Sequence, residues 1–316
     1  MADRKDTEEI HMWVLAVASQ KGGVGKTTTT VNLAARLAMA GQRVLVVDLE
    51  PQAQAGTALG VTLAPQGPDV ASSLGWLMQA TLQGVSEPDI MQHIRDVSHV
   101  LDTFDGAGAL GVLASLEHTM SRAQEMFVTA PKEHTLILRQ LLSTASDAYD
   151  IAVIDTPPAV SSLNLVGLLA ADAVITLCNP EYATVKGARV LRSAVMSLAN
   201  NETQKGRPQF LGALLNRANP PTAETGEDED VRALMLNGNL MPFVAEVRRN
   251  RLISKAYASG VPAVITHSGG TVGRSYTNLT EEILQRMQTP QEQWRLPAPR
   301  EEQGEFEVPE EAVTGA

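Results

Sequence analysis

Short apolar runs alternate along this chain with segments in which apolar residues recur every three to four positions. The first pattern predicts strands, the second amphipathic helices. The candidate strands are Trp13–Ala18, Arg43–Asp48, Ile151–Ile154, Ala173–Leu177, Phe210–Leu215 and a short Phe243–Ala245. Most are apolar at nearly every position, as expected of strands covered on both faces in a parallel sheet. The candidate helices are Lys26–Met39, Ser162–Ala170, Val185–Leu198, Asp228–Leu236, Arg249–Ala258 and Asn278–Met287. Gly41 would close the first, and Asn278 with Glu281 has the spacing of a capping box. The alternation predicts an α/β fold, a three-layer sandwich with a mostly parallel sheet and helices on both faces. Between Gln54 and Leu142 the pattern gives helical stretches such as Val70–Leu82 and Leu136–Leu142, interrupted by Gly106-Ala107-Gly108. That region reads as helices and loops at the sheet's edge rather than a separate domain. The expected organisation is a short flexible N-terminus over residues 1–11, one domain over residues 12–289, and an acidic, Pro-containing disordered tail over residues 290–316.

The first candidate strand runs into Gln20-Lys21-Gly22-Gly23-Val24-Gly25-Lys26-Thr27-Thr28, and the first candidate helix follows at once. Strand, glycine-rich loop and helix in that order is the setting of a phosphate-binding loop. Its glycines let backbone N–H groups turn inward on a triphosphate while the helix N-terminus points at the same charge. Lys26 would reach the β- and γ-phosphate oxygens, and the Thr27 hydroxyl would ligate Mg²⁺, which makes ATP and Mg²⁺ the expected cofactors. The loop is unusual in having Gln20 where the first glycine should stand and a second lysine, Lys21, next to it. Two more strand ends carry carboxylates, where ligands of open α/β sheets collect. Asp155, closing Ile151–Ile154, is placed to hold Mg²⁺ directly or through a water. Asp48 and Glu50 lie two apart after Val44–Val47, and either is a candidate to orient or deprotonate an attacking water.

Composition narrows the picture. Of 316 residues, 44% are hydrophobic and 19% charged, ordinary for a soluble globular protein. No apolar run is long enough for a membrane span. The charged N-terminus, Met1 to Glu9, lacks an apolar signal core, so a cytoplasmic protein is expected. The lone cysteine, Cys178, excludes a disulfide framework and reads as a small core residue. The net charge of −11 comes largely from residues 221–230 and 300–316, which read as a solvated acidic loop and tail. The remainder is near neutral and leaves room for basic patches. The densest is Arg248, Arg249 and Arg251 followed by Lys255. On one helix Arg248, Arg251 and Lys255 would share a face suited to DNA phosphates without sequence readout. Lys186, Arg189 and Arg192 form a weaker patch.

With these motifs in view, the chain resembles the ParA/Soj branch of the deviant Walker A ATPases, the family that also holds MinD and the nitrogenase iron protein. The matching residues are Lys21–Thr28, Asp48-Leu49-Glu50-Pro51-Gln52, Asp155-Thr156-Pro157-Pro158, Asn179-Pro180-Glu181-Tyr182, Leu215-Asn216-Arg217 and Gly260-Val261-Pro262, in order over roughly Trp13 to Met287. The resemblance implies a P-loop ATPase whose homodimer sandwiches two ATP molecules. Lys21 would reach across to the partner's phosphates, and Gly22, Gly23, Val24, Gly25, Lys26, Thr27 and Thr28 would cradle the chain's own. Asn216, Arg217 and Pro242 would lie at the base, with Asn216 on the adenine edge. Arg248, Arg249, Arg251 and Lys255 would bind nonspecific DNA in the ATP state. A ParB-like centromere-binding partner would stimulate slow hydrolysis, so that plasmid or chromosomal cargo is positioned on the nucleoid. The family pattern has a second Asp where this chain has Glu50, one methylene longer, so the hydrolytic water geometry must shift. A ParA-like ATPase with a protein cargo and a MinD-like regulatory ATPase are the alternatives. An acidic, Pro-broken C-terminus does not suit a membrane-binding helix, and one cysteine does not suit an iron–sulfur reductase. A phosphotransferase or amide-forming synthetase on the same fold, and an ATP-binding adaptor without hydrolysis, are further readings.

Overall fold

The computed structural model describes residues 12–85, 89–158, 161–201 and 208–297. Residues 1–11 and 298–316, which include most of the expected N-terminus and tail, lie outside the described residues. Eight strands form the sheet: β1 (Trp13–Ala18), β2 (Arg43–Asp48), β3 (Arg95–Asp96), β4 (Ala109–Leu113), β5 (Ile151–Asp155), β6 (Ala173–Cys178), β7 (Gln209–Ala218) and β8 (Val247–Arg248). Their order is β3-β4-β2-β5-β1-β6-β7-β8, parallel throughout except for β3 against β4. The helices are α1 (Lys26–Met39), α2 (Gln54–Ala58), α3 (Pro68–Ala71), α4 (Leu74–Leu82), α5 (Glu117–Thr129), α6 (Ile137–Ser143), α7 (Ser162–Ala170), α8 (Tyr182–Ala199), α9 (Gly226–Asn237), α10 (Arg251–Ser259), α11 (Ala263–Thr266) and α12 (Thr271–Gln288).

The strands sort their side chains by alternation. Val14, Ala16, Leu45, Val47, Ala152 and Ile154 face a core with α4 to α9, whereas Leu15, Val17, Val44, Val46, Ile151 and Val153 face α1, α2 and α10 to α12. A buried Leu or Val on either face contributes about 1.5–3 kcal/mol. Continuing the same alternation, Asp48 and Asp155 fall on the α1 face. They are also direct neighbours in register, so the two carboxylates meet side by side where β2 and β5 end.

Several sequence expectations are corrected. Phe243–Ala245 is not a strand, because the Val244 and Ala245 N–H groups donate to the Glu282 carboxylate at 3.0 Å instead of a ladder. The edge strand is the following pair, Val247–Arg248. The last long helix starts at Thr271, so Asn278 is interior and caps nothing. The capping box sits at Thr225 and Asp228 instead. Asp228 is fully buried and Glu224 is ion-paired, so the acidic stretch there is not a free solvated loop. Val70–Leu82 divides into α3 and α4, and the region from Gln54 to Leu142 contributes β3 and β4 as well as helices. The ordered fold also runs beyond residue 289, since Trp294 is buried and donates to the Thr289 carbonyl. Cys178 is buried, its thiol pushed up to about 12 by desolvation, as suits a core residue.

Candidate nucleotide site

β1 lies between β5 and β6, and its C-terminal end delivers the loop Ser19–Gly25 to the start of α1. Gly23 and Gly25 adopt left-handed conformations (φ 75° and 95°) that side chains disfavour. At Gly25 a Cβ would also stand 2.6 Å from Asn216 Nδ2. That amide donates to the Val24 carbonyl at 2.6 Å, so β7 braces the loop from behind. Arg217 beside it is itself left-handed (φ 55°), as is Ala53 (φ 51°) after the Glu50 loop. Strained backbone of this kind collects at ligand sites.

Lys26, the first residue of α1, is 7% exposed. Burial lowers its pKa, opposed by the charges of Asp155 and Glu50. The Thr27 hydroxyl donates to Asp155 Oδ2 at 2.6 Å. Asp155 is fully buried, and desolvation lifts its carboxyl to about 7 against the hydrogen bond from Thr27 and the charge of Lys26. Asp48, equally buried, accepts from the Gly56 N–H at 3.1 Å. Desolvation first, then the neighbouring Asp155 carboxylate, raises its pKa well above the usual range. Glu50 lies in the turn after β2, 9% exposed, with its pKa raised by burial and lowered by Lys26. Thus Lys26, Thr27, Asp48, Glu50 and Asp155 converge on one polar focus at the sheet's carboxyl edge.

That focus fits a metal–nucleotide complex. Asp48 Oδ1 and Asp155 Oδ1 are buried without hydrogen-bond partners, and two adjacent buried carboxylates call for a cation. Among the described residues no cluster of three or more His, Cys, Asp or Glu makes an all-protein metal cage. This suits Mg²⁺, which takes few carboxylates and completes its shell with phosphate oxygens and water.

The other expected residues fall in two groups. Lys21, Gly22 and Gly23 are exposed. Pro242 is buried, its carbonyl fixed by Arg286 at 2.8 Å. The basic cluster does not form one helical face. Arg248 belongs to β8, and its guanidinium donates to the Asn219 carbonyl and pairs with Glu224 at 3.4 Å and Glu246 at 3.6 Å. Arg232 shares both carboxylates. Arg249 follows on the connection, and α10 begins only at Arg251, capped by the Asn250 side chain. Arg249, Arg251 and Lys255 are exposed and make no salt bridge among the described residues. The contiguous motifs gave no sign of Arg286, Glu282 or Ser115, whose hydroxyl donates to the Asp48 carbonyl at 2.7 Å.

A family profile described as an AAA domain matches residues 12–205, more than half of the chain. Over 280 residues the chain is 32% identical to the chromosome-partitioning ATPase Soj of Thermus thermophilus, spanning 87% of this chain and 96% of that one. The chain belongs to the ParA/Soj family of partition ATPases. As a ParA-like protein it is an ATPase, with ATP and Mg²⁺ as its cofactors. Its fold is that of P-loop ATPases of this group. Apo McdA from Cyanothece superposes with a TM-score of 0.70 at 21% identity, covering 87% of this chain and 100% of that one. Cobyrinic acid a,c-diamide synthase from Mycobacterium smegmatis, determined with an ATP analogue and magnesium, superposes with a TM-score of 0.65 at 24% identity, covering 88% and 97%. No helix among the described residues of this ParA-like chain is long and apolar enough to cross a membrane.

Proposed function

We propose that this ATPase is a nucleotide-gated DNA switch that positions plasmid or chromosomal cargo on the nucleoid. ATP closes a homodimer, the dimer binds DNA without sequence preference, and hydrolysis stimulated by a ParB-like partner releases it. The observation that carries the DNA reading is the trio Arg249, Arg251 and Lys255, exposed at the start of α10 without carboxylate partners. Cations left free in this way neutralise phosphates at little desolvation cost. Arg248, tied into its ion-pair network, supports the fold of that corner instead.

The dimer reading is supported by the contrast between two lysines of one loop. Lys26 is buried in its own site, while Lys21 is exposed on the outside, free to reach the partner's phosphates. Within one subunit, Lys26 and the amides of Gly22, Gly23, Val24, Gly25, Thr27 and Thr28 hold the phosphates. Thr27 and Asp155 would hold Mg²⁺, and the bound metal would supply neutralisation of charge across the β- and γ-phosphates. Glu50 orients the attacking water and accepts its proton, helped by the burial that raises its proton affinity. Asp48 shares that electrostatic focus and anchors α2 through Gly56. Asn216 and Arg217, both beside Gly25 of the loop, line the base, whereas Pro242, expected there from the sequence, is buried and held by Arg286. All of these lie in a single ATPase domain that begins near Met12 and extends to at least Trp294.

Binding of the purified protein to random-sequence duplex DNA, with ATP against ADP, tests the switch. Tight binding in ATP alone, lost in Lys26→Ala and weakened in Arg251→Ala, is the expected result. Binding in neither state would overturn it and leave a protein cargo or a MinD-like regulatory role.

A further inference from the structure

Helix α10, which carries Arg251 and Lys255, packs against the elements that build the phosphate site. Its positions Arg251, Ser254, Lys255 and Ala258 are exposed, while Ile253, Ala256 and Tyr257 turn into the core shared with α1 and α2. Three contacts tie that inward side to the nucleotide focus. The first is Asn32, in the middle of α1 and 2% exposed. Its Nδ2 donates at 2.8 Å to the carbonyl of Thr28, one of the loop residues, and its Oδ1 accepts the Val264 N–H at 3.0 Å. Val264 lies in the first turn of α11, where an N–H has no partner within its own helix. One buried amide therefore bridges the phosphate loop and the short helix that follows α10.

The second contact joins two left-handed glycines, Gly60 (φ 77°) and Gly260 (φ 68°). Gly260 ends α10, and a Cβ there would stand 2.8 Å from the Gly60 Cα. Gly60 follows α2, which Asp48 holds through the Gly56 N–H at 3.1 Å. Asp48 thus uses one carboxylate oxygen on α2, while the other, Oδ1, is buried and unpartnered where β2 ends beside β5. The third is Tyr257, whose phenol has its pKa raised by desolvation and then by the charges of Asp48 and Asp155. Helix α10 is gripped from two sides, by α2 at Gly260 and by α1 through α11, and both grips begin at residues of the phosphate site. Close-packed elements shift as units rather than deform.

We propose that α10 is a nucleotide-responsive arm, with Asn32, Gly60 and Gly260 as positioning residues that set its placement from the phosphate site of its own subunit. Filling that site engages Asp48 Oδ1 and the Thr28 end of α1, and α2 and α11 carry the adjustment to α10. Presentation of Arg251 and Lys255 then follows the occupant of the site, a consequence that rests on the reading of α10 as the DNA face.

Amide hydrogen exchange in the full chain with Mg²⁺, with and without ATP, reads the coupling in the absence of DNA. Helix α5, on the opposite face of the sheet, is the internal reference. In the unaltered protein, exchange at residues 252–259 should slow about tenfold on adding ATP, relative to α5, within the usual range of coupling between sites. In Asn32→Ala and Gly260→Ala that factor should fall below about twofold, while ATP affinity stays within about twofold and sedimentation shows the same dimer. No slowing of α10 in the unaltered protein, or an unchanged factor in either variant, would sink the proposal. So would a loss of ATP affinity as large as the loss of the factor, which would make Asn32 and Gly260 merely structural. Tyr257→Phe keeps the packing of α10 and decides the matter should those variants not fold: a smaller factor supports the coupling, an unchanged one removes it. If α10 responds to ATP yet random-sequence DNA binds in neither nucleotide state, the coupling stands and only the DNA reading fails.

Discussion

The phosphate end of the site and the flank formed by α9, β8 and α12 are assembled in opposite ways. At the phosphate end nearly everything is local: a run of residues from Ser19 to Thr30, plus the last residues of two neighbouring strands. On the flank the working contacts join Asn219, Glu224, Arg232, Glu246 and Arg248, and separately Leu211, residues 241–245, Glu282, Arg286 and Arg295. A triphosphate can be bound by backbone amides whose geometry a short glycine-rich loop fixes. A clamped edge segment and an exposed cationic patch need side chains brought from distant positions, and what each arginine does is decided by what folds beside it.

Four outcomes sharpen this contrast. The largest effect should come from Lys26→Ala, which removes the buried cation from the phosphate focus and should weaken ATP binding by more than about 100-fold, measured calorimetrically. Next, Glu50→Gln should slow single-turnover hydrolysis by about 10²- to 10⁴-fold, the usual worth of general-base assistance, while ATP-dependent DNA binding persists. An unchanged rate would move the water-positioning role to Asp48 or elsewhere.

The third outcome is a pH effect on the nucleotide-free protein. Asp155 titrates near 7 in the fold, above its value in the unfolded chain, so between about pH 4 and 7 the native state holds a proton that the unfolded state has released. Stability should accordingly fall as pH rises through that window, by at most on the order of 4 kcal/mol. Denaturant unfolding across pH 5 to 8 should show a flatter profile for Asp155→Asn, and ATP with Mg²⁺ should flatten that of the unaltered protein. A steeper profile in the variant would contradict the assignment. The smallest effects separate the arginines. Arg251→Ala and Lys255→Ala should each reduce the slope of log affinity for DNA against log salt by about one. Arg248→Ala should leave that slope intact and cost up to about 1 kcal/mol of stability.

The physical reasons for what the sequence revealed are visible in particular residues. Buried parallel strands such as Val44–Val47 and Ile151–Ile154 announce themselves because both faces are covered, and the carboxylates that end them mark the ligand edge. The strand β4 and its short partner β3 were missed because Ala109–Leu113 is preceded by glycines and β3 spans only two residues. Phe243–Ala245 misled because an apolar run is silent about where its N–H groups find acceptors, and Glu282 lies 37 positions from Ala245. Arg248 looked like its neighbours by spacing, yet helix α10 starts three residues after it and Glu224 reaches it from another element. The Asn278–Glu281 pair had the spacing of a cap, but the turns before it, from Thr271, are apolar enough at Val272 and Tyr276 to pack as helix first.

The stacking of Trp294 on Arg286 has an optical consequence. Of the three tryptophans, Trp13 is exposed, Trp76 half-buried and Trp294 buried beside the guanidinium that holds the carbonyls of Leu211, Met241 and Pro242. A protein carrying Phe at positions 13 and 76 would have a single indole, and its emission would report the undocking of the residues after α12 from Arg286 as the protein unfolds, without any attached dye.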